Sequence, residues 1–183
     1  MISVSLMAVL TLVLAVLVNG QMRVSTRTNE RISLERNHLR LQETMRQDVV
    51  AANAVGVSLD EAGSRLGFQP SDDVAPDGEV LYSTSILTAY FYSAADKELR
   101  RKHWSVNPPV TLVSPPAKLL PSQWTTLTTT SAPQVQTWSN LVAFRLRSDS
   151  GLYLNPRIWV DCTWKENSRS WSVTYCLSSR QIP

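Results

Sequence analysis

The chain has 183 residues, 43% hydrophobic and 18% charged, with 6 glycines against 10 prolines, so it is neither fibrous nor grossly disordered and amounts to one ordinary domain's length. Two cysteines exclude a disulfide-dense mini-protein and a four-cysteine zinc site, and the two histidines, His38 and His103, lie 65 positions apart with no metal-ligand spacing around them. The formal charge of +3, from 18 basic and 15 acidic residues, permits an anionic partner without demanding one.

Residues 1–18 carry no charge and are apolar on every face of a helix, so this segment has no polar side to turn to water. At 1.5 Å per residue it reaches about 27 Å, close to the roughly 30 Å hydrocarbon core of a bilayer. Asn19 and Gly20 end the run. A secretory signal peptide is the competing reading, with Val18-Asn19-Gly20 a passable cleavage site before Gln21, but such a peptide opens with Lys or Arg and this one opens with Met1. Arg23, Arg27, Arg31, Arg36 and Arg40 all follow the apolar run, which for an unprocessed chain places the C-terminal part in the cytoplasm. The C-terminal part, rich in Trp, Ser and Thr and holding both cysteines, suits an oxidising extracytoplasmic space instead. The two indications agree if a basic leader once preceded Met1 and was removed.

Beyond Gly20 the apolar residues thin to one stripe, Leu34, Leu41, Met45, Val49 and Ala52, with His38 on it and Leu39 and Ala51 at its margin. Arg31, Glu35, Arg36, Arg40, Glu43, Arg46 and Asp48 form the solvated face, Arg31 and Glu35 pairing at i,i+4. No proline interrupts residues 1–69, so one helix from near Met1 to about Asn53, roughly 80 Å long, is expected. The stripe spans too few heptads for a confident coiled coil, and packing against the chain's own C-terminal domain is favoured. Ser58 with Glu61 reads as a capping box opening a short helix that ends near Leu66, before Gly67. Residues 69–78, with Pro70 and Pro76, read as an irregular connection.

From Glu79 the period changes to two. Residues 80–85 and 87–92 read as strands, and 99–106 returns as a hairpin arm after Ala94-Ala95-Asp96-Lys97. Val142, Phe144 and Leu146 alternate with Arg145 and Arg147, as in a sheet with one wet side. Residues 107–139 hold six of the ten prolines and the threonine run 125–130, and read as a long surface excursion with short edge strands. The last strands fall near 158–164 and 171–177. The fold class is therefore α+β, with segments 1–20 (apolar helix), 21–55 (amphipathic helix), 56–78 (connection with a short helix) and 79–183 (β-rich domain).

Cys162 and Cys176 lie in neighbouring strands, and a disulfide is the simple reading, its 15-residue loop contributing about 3 kcal/mol in the chain-entropy model. Parity opposes it. Cys162 shares a face with Ile158, Val160 and Trp164, whereas Trp171, Val173, Tyr175 and Leu177 share a face that excludes Cys176. A disulfide thus requires a bulge between Trp164 and Trp171, and both are expected.

No catalytic template is present. His38 lies on the long helix, His103 is crowded by the cations Arg100, Arg101 and Lys102, and the sequence holds neither a Gly-rich phosphate loop nor a recognisable carboxylate pair, so neither an enzyme nor a cofactor is expected. Arg100-Arg101-Lys102-His103-Trp104 is the one run suited to a polyanion such as nucleic acid, cations meeting phosphates and Trp104 stacking on bases. A solvated hairpin arm neutralised by Asp96 and Glu98 is the favoured reading of the same residues.

An apolar N-terminal helix continued as an amphipathic one to about residue 53 and followed by a small β-sheet with C-terminal cysteines resembles a type IV pilin or type II secretion pseudopilin. The stretch from Arg40 to Ala52, Arg-Leu-Gln-Glu-Thr-Met-Arg-Gln-Asp-Val-Val-Ala-Ala, is similar to the helix end of minor pilins of the W type and pseudopilins of the J type. The resemblance implies a prepilin peptidase that removes a basic leader and leaves an N-methylated Met1, storage in the bacterial inner membrane before assembly, and a filament outside it. It implies that Leu6, Leu10, Leu14 and Leu17 enter a filament core shared with other pilin subunits, that the helix breaks at Gly20, and that a C-terminal disulfide delimits a loop like that from Cys162 to Cys176. The family usually has glutamate at the fifth mature position; Ser5 stands there, which weakens a major-pilin reading more than the family reading. The rival expectation is a membrane-anchored or secreted β-domain that binds something in the envelope and never polymerises. A DNA-uptake role would rest on the basic run alone.

Overall fold

The computed structural model describes the backbone of residues 2–149, 157–166 and 169–178, and their side chains from residue 13 onward except that of 149. It falls into two units, Met1–His38 and Leu39–Pro183. Helix α1, Ile2–Ala52, crosses from one to the other without interruption, as the absence of proline allows. In the first unit the Thr26 and Thr28 hydroxyls each donate to the carbonyl four residues back, on Met22 and Val24, at 2.9 Å. Arg31 and Glu35 form the expected pair, at 2.8 Å.

In the second unit Leu41, Met45, Val49 and Ala52 are buried while Leu39 and Ala51 are exposed, so the stripe is the buried face of α1. Asn53 ends the helix in the left-handed region, with φ 54°. Gly56 follows at a crossing of backbones: its N–H bonds the Ala52 carbonyl and its carbonyl accepts from Gln69 N, at 3.1 and 2.8 Å. A Cβ there would strike the Gln69 and Ala52 carbonyl oxygens, and only glycine fits.

Ten strands follow. Strands β1 (Val57–Asp60), β2 (Arg65–Phe68), β5 (Leu87–Ser93), β6 (Glu98–Trp104) and β7 (Gln134–Trp138) form an antiparallel sheet in the order β1-β2-β5-β6-β7. Strands β8 (Leu141–Asp149), β9 (Arg157–Glu166) and β10 (Arg169–Ser178) form a second sheet, β10-β9-β8, and β3 (Ser71–Val74) pairs with β4 (Val80–Tyr82). The molecule is α+β, with the Leu39–Ala52 part of α1 packed on antiparallel sheets.

The five-stranded sheet is covered on both faces, so every residue of β5 from Leu87 to Phe91 is buried. Tyr90 points to α1, where it meets Phe68 edge-on at 5.8 Å and stacks on Trp138 at 6.2 Å. Leu87, Ala89 and Phe91 point the other way, into a cluster with Trp104, Leu112, Trp124 and Leu127. Trp124 and Leu127 belong to helix α2, Pro121–Thr129.

Four expectations are corrected. The helix expected over 58–66 is the β1–β2 hairpin. The Ser58 hydroxyl accepts from Leu119 N at 3.3 Å rather than capping a helix, Glu61 bonds Ser148, and Asp60 Oδ1 accepts from Gly63 N to close the turn. Residues 69–78 include β3 and the turn of the exposed β3–β4 hairpin, Gly78 taking φ 88°. The excursion 107–139 contains α2, opened by Pro121 at its first position and closed over the core by Trp124 and Leu127; the threonine run is helical and β7 is the edge strand. The cysteines are not joined, and the β9–β10 ladder has no bulge: Cys162 lies opposite Val173 and Cys176 opposite Trp159. Three residues of offset put them about 10 Å apart along the ladder and on opposite faces, outside disulfide reach. A bulge does occur between Leu141 and Ala143, in β8.

Candidate functional site

In the first unit, seven large apolar side chains within twelve residues of α1 face solvent: Val13, Leu14, Val16, Leu17, Val18, Met22 and Val24, from 41% exposed at Val18 to 65% at Val16. They circle the helix, so no rotation about its axis hides them. A contiguous apolar surface of this kind marks an interaction site, because each such side chain gains on the order of 1.5–3 kcal/mol on full burial. Gly20 leaves a notch in this surface flanked by Val16, Leu17, Gln21 and Val24. The helix passes through Gly20 unbroken, so the break expected there is not found in this chain. Ser5, Leu6 and Leu10 lie in the helical backbone, but their side chains, like the whole of Met1, lie outside what is described. Among the described residues no helix is long and apolar enough to cross a membrane.

In the second unit the basic run is divided by strand parity. Leu99, Arg101 and His103 face α1; Arg100, Lys102 and Trp104 face α2. Arg101 donates two bonds to Asp48 on α1, at 2.7 and 2.8 Å, and Tyr90 donates a third at 2.5 Å. The bonds to Asp48 raise the Arg101 pKa further above its ordinary value, and burial beside that carboxylate holds the Tyr90 hydroxyl well above its own. Lys102 donates to the carbonyls of Leu127, Thr128 and Thr130 at 3.1, 2.6 and 2.8 Å, capping the C-terminal turn of α2. Its ammonium also lies 5.4 Å from the Phe91 ring centre, and burial, then Arg100, lowers its pKa. Arg100 bonds Glu98 and Asp96, at 2.9 and 3.2 Å, the neutralisation the sequence suggested. Trp104 is buried with its indole N–H on the Ser131 carbonyl, and the His103 ring bonds Thr88. The run thus holds the domain together.

Cys162 is buried and its thiol is pushed up to about 12, chiefly by desolvation; Tyr175, beside it, donates to Met45 Sδ at 3.2 Å. Such a thiol is inert at neutral pH. Among the described residues no group of three His, Cys, Asp or Glu side chains could hold a metal ion. The sequence reading missed the partner of Asp48, taken only as part of the solvated face. A lone acid beside the buried stripe, four positions from Ala52, was the available signal.

No protein family, characterised protein or solved structure matches this chain.

Proposed function

We propose that the chain is a structural subunit of a type IV pilus-like or pseudopilus filament, held in the bacterial inner membrane before assembly and polymerised through its N-terminal helix. One observation carries this reading: the apolar surface from Val13 to Val24 is exposed on the same unbroken helix whose Leu41–Ala52 stripe is buried in a β-rich domain. Leu14 and Leu17, and Leu6 and Leu10 on the segment before them, enter the filament core. Extraction from lipid exchanges one apolar neighbour for another, so association rests on helix packing. The contact is head-to-tail and does not close, which lets assembly continue subunit by subunit. Ser5 in place of the usual acid favours a minor subunit. A prepilin peptidase and a pilus assembly machinery are the implied partners, and Met1 the N-methylated end. The unjoined cysteines lend no support to an extracytoplasmic site; that placement follows from the filament reading.

The test is incorporation. Leu14 is 55% exposed, so Leu14→Lys spares the fold of the domain while placing a charge in the core of a filament. Wild-type chain in sheared surface or periplasmic filaments, and loss of the variant from that fraction with normal cellular amounts, is the expected result. Equal incorporation of the variant, or wild-type chain absent from all filaments, overturns the reading.

A further inference from the structure

The three-stranded sheet turns Phe144, Leu146, Val160, Cys162 and Leu177 inward and presents its other face to water. The register gathers cations there from two strands. Arg145 lies opposite Asp161, Arg147 opposite Trp159, and Lys165 continues the same face of β9. Asp161 is already taken: Arg147 donates to both its oxygens at 2.9 and 3.1 Å, and Thr174 donates at 2.7 Å. These bonds, Arg147 first, hold the Asp161 carboxyl below its ordinary range, so it stays charged and fixes Arg147 in place. Arg145 and Lys165 are left exposed; Arg145 acts on the Asp161 carboxylate only through its charge, and among the described residues neither side chain has a hydrogen bond or a close ion pair. Trp159 is half-buried on the same face, opposite Arg147 in the register and six residues, about 20 Å, along β9 from Lys165.

A sheet face that spaces exposed cations along the strand from a partly exposed aromatic ring is the chemistry that holds a single polynucleotide strand. Cations take the backbone and the ring takes a base without regard to sequence. We propose that this sheet face binds single-stranded nucleic acid, its phosphates against Arg145 and Lys165 and a base stacked on Trp159. The proposal goes beyond filament assembly and does not depend on it. It also moves the polyanion site away from Arg100–Trp104, where Arg101 and Lys102 are spent inside the domain and Arg100 is paired with Asp96 and Glu98.

The experiment is anisotropy of a labelled oligothymidine of about 16 nucleotides titrated with the full chain in non-ionic detergent over a range of salt. Wild type binds, and Arg145→Gln with Lys165→Gln lowers affinity at least about tenfold and reduces the log–log salt slope by about 1.4, two phosphates at about 0.7 each. Trp159→Leu lowers it by about five- to 150-fold, as loss of a stacked base does. Arg100→Gln changes nothing. Should Trp159→Leu fail to fold by thermal melt, the exposed double variant alone decides. Absence of wild-type binding at low salt, unchanged binding by the double variant, equal affinity for duplex DNA, or retention on heparin without any oligothymidine binding each overturns the proposal.

Discussion

Arg101 and Asp48, 53 positions apart in sequence, form a two-point ion pair at 2.7 and 2.8 Å that fastens the last turns of α1 to the centre of the five-stranded sheet. Their side chains are 19% and 12% exposed, so water screens the pair little. Asp48→Ala leaves a buried guanidinium without its carboxylate and strips Tyr90 of its acceptor. We expect a loss of about 3–5 kcal/mol by chemical denaturation, and a smaller loss when Arg101→Met is added to Asp48→Leu, since the uncompensated charge then goes too.

The β9–β10 register predicts the thiol chemistry. Without reductant, intact mass should show two protonated cysteines and no loss of two hydrogens. An aromatic disulfide reagent should modify Cys176 in the native protein and reach Cys162 only after unfolding, because Cys176 is exposed and burial holds the Cys162 thiol up near 12. Two equivalents consumed at one rate would contradict the assigned faces.

Glu61 joins the β1–β2 turn to β8 by accepting from the Ser148 hydroxyl and backbone N–H at 2.6 and 2.7 Å, and these two bonds hold its carboxyl below the ordinary range. Because the folded group titrates below its unfolded value of about 4.3, its contribution is whole above that pH and is lost as pH falls through the lower folded value. The group is largely exposed, so screening keeps the contribution under about 1 kcal/mol. Glu61→Gln should therefore flatten the acid limb of a stability–pH curve below about 4.3 and change stability at neutral pH only slightly.

At Gly56 the Ala52 and Gln69 carbonyl oxygens occupy the space a side chain needs. Gly56→Ala must part the end of α1 from the strand entry it bonds, and a loss of about 1–3 kcal/mol in urea unfolding is expected. The substitution Gly20→Ala, where nothing lies within 4 Å, should leave the stability of the β-rich unit unchanged.

Much of the fold was legible because it rests on periodicity. The long helix followed from unbroken spacing without proline, and β5, β6, β8, β9 and β10 from alternation. What failed were local signals overruled by distant partners. Ser58 and Glu61 have the spacing of a capping box, yet Leu119 N and Ser148, remote in sequence, claim their oxygens. The threonines of 125–130 disfavour a helix by propensity, and burial of Trp124 and Leu127 prevails. The cysteine parity was readable, and the bulge expected to overcome it is absent from the β9–β10 ladder. The basic run was visible as composition; only the ladder shows that its alternate members serve opposite faces, and only the β8–β9 register puts Arg145 on one face with Trp159 and Lys165.

Helix α2 is a conformation on loan. Thr125, Thr126, Thr128 and Thr129 turn their hydroxyls back onto carbonyls of their own helix, at 2.8–3.2 Å, which adds nothing to bind it elsewhere and bends such helices. At nine residues it is too short to persist alone. Its order is underwritten by the Lys102 ammonium on its last carbonyls and by the cluster beneath Trp124. Its amides should therefore exchange with solvent at the rate at which β6 lets go, making this helix a reporter on the five-stranded sheet rather than an element with a stability of its own.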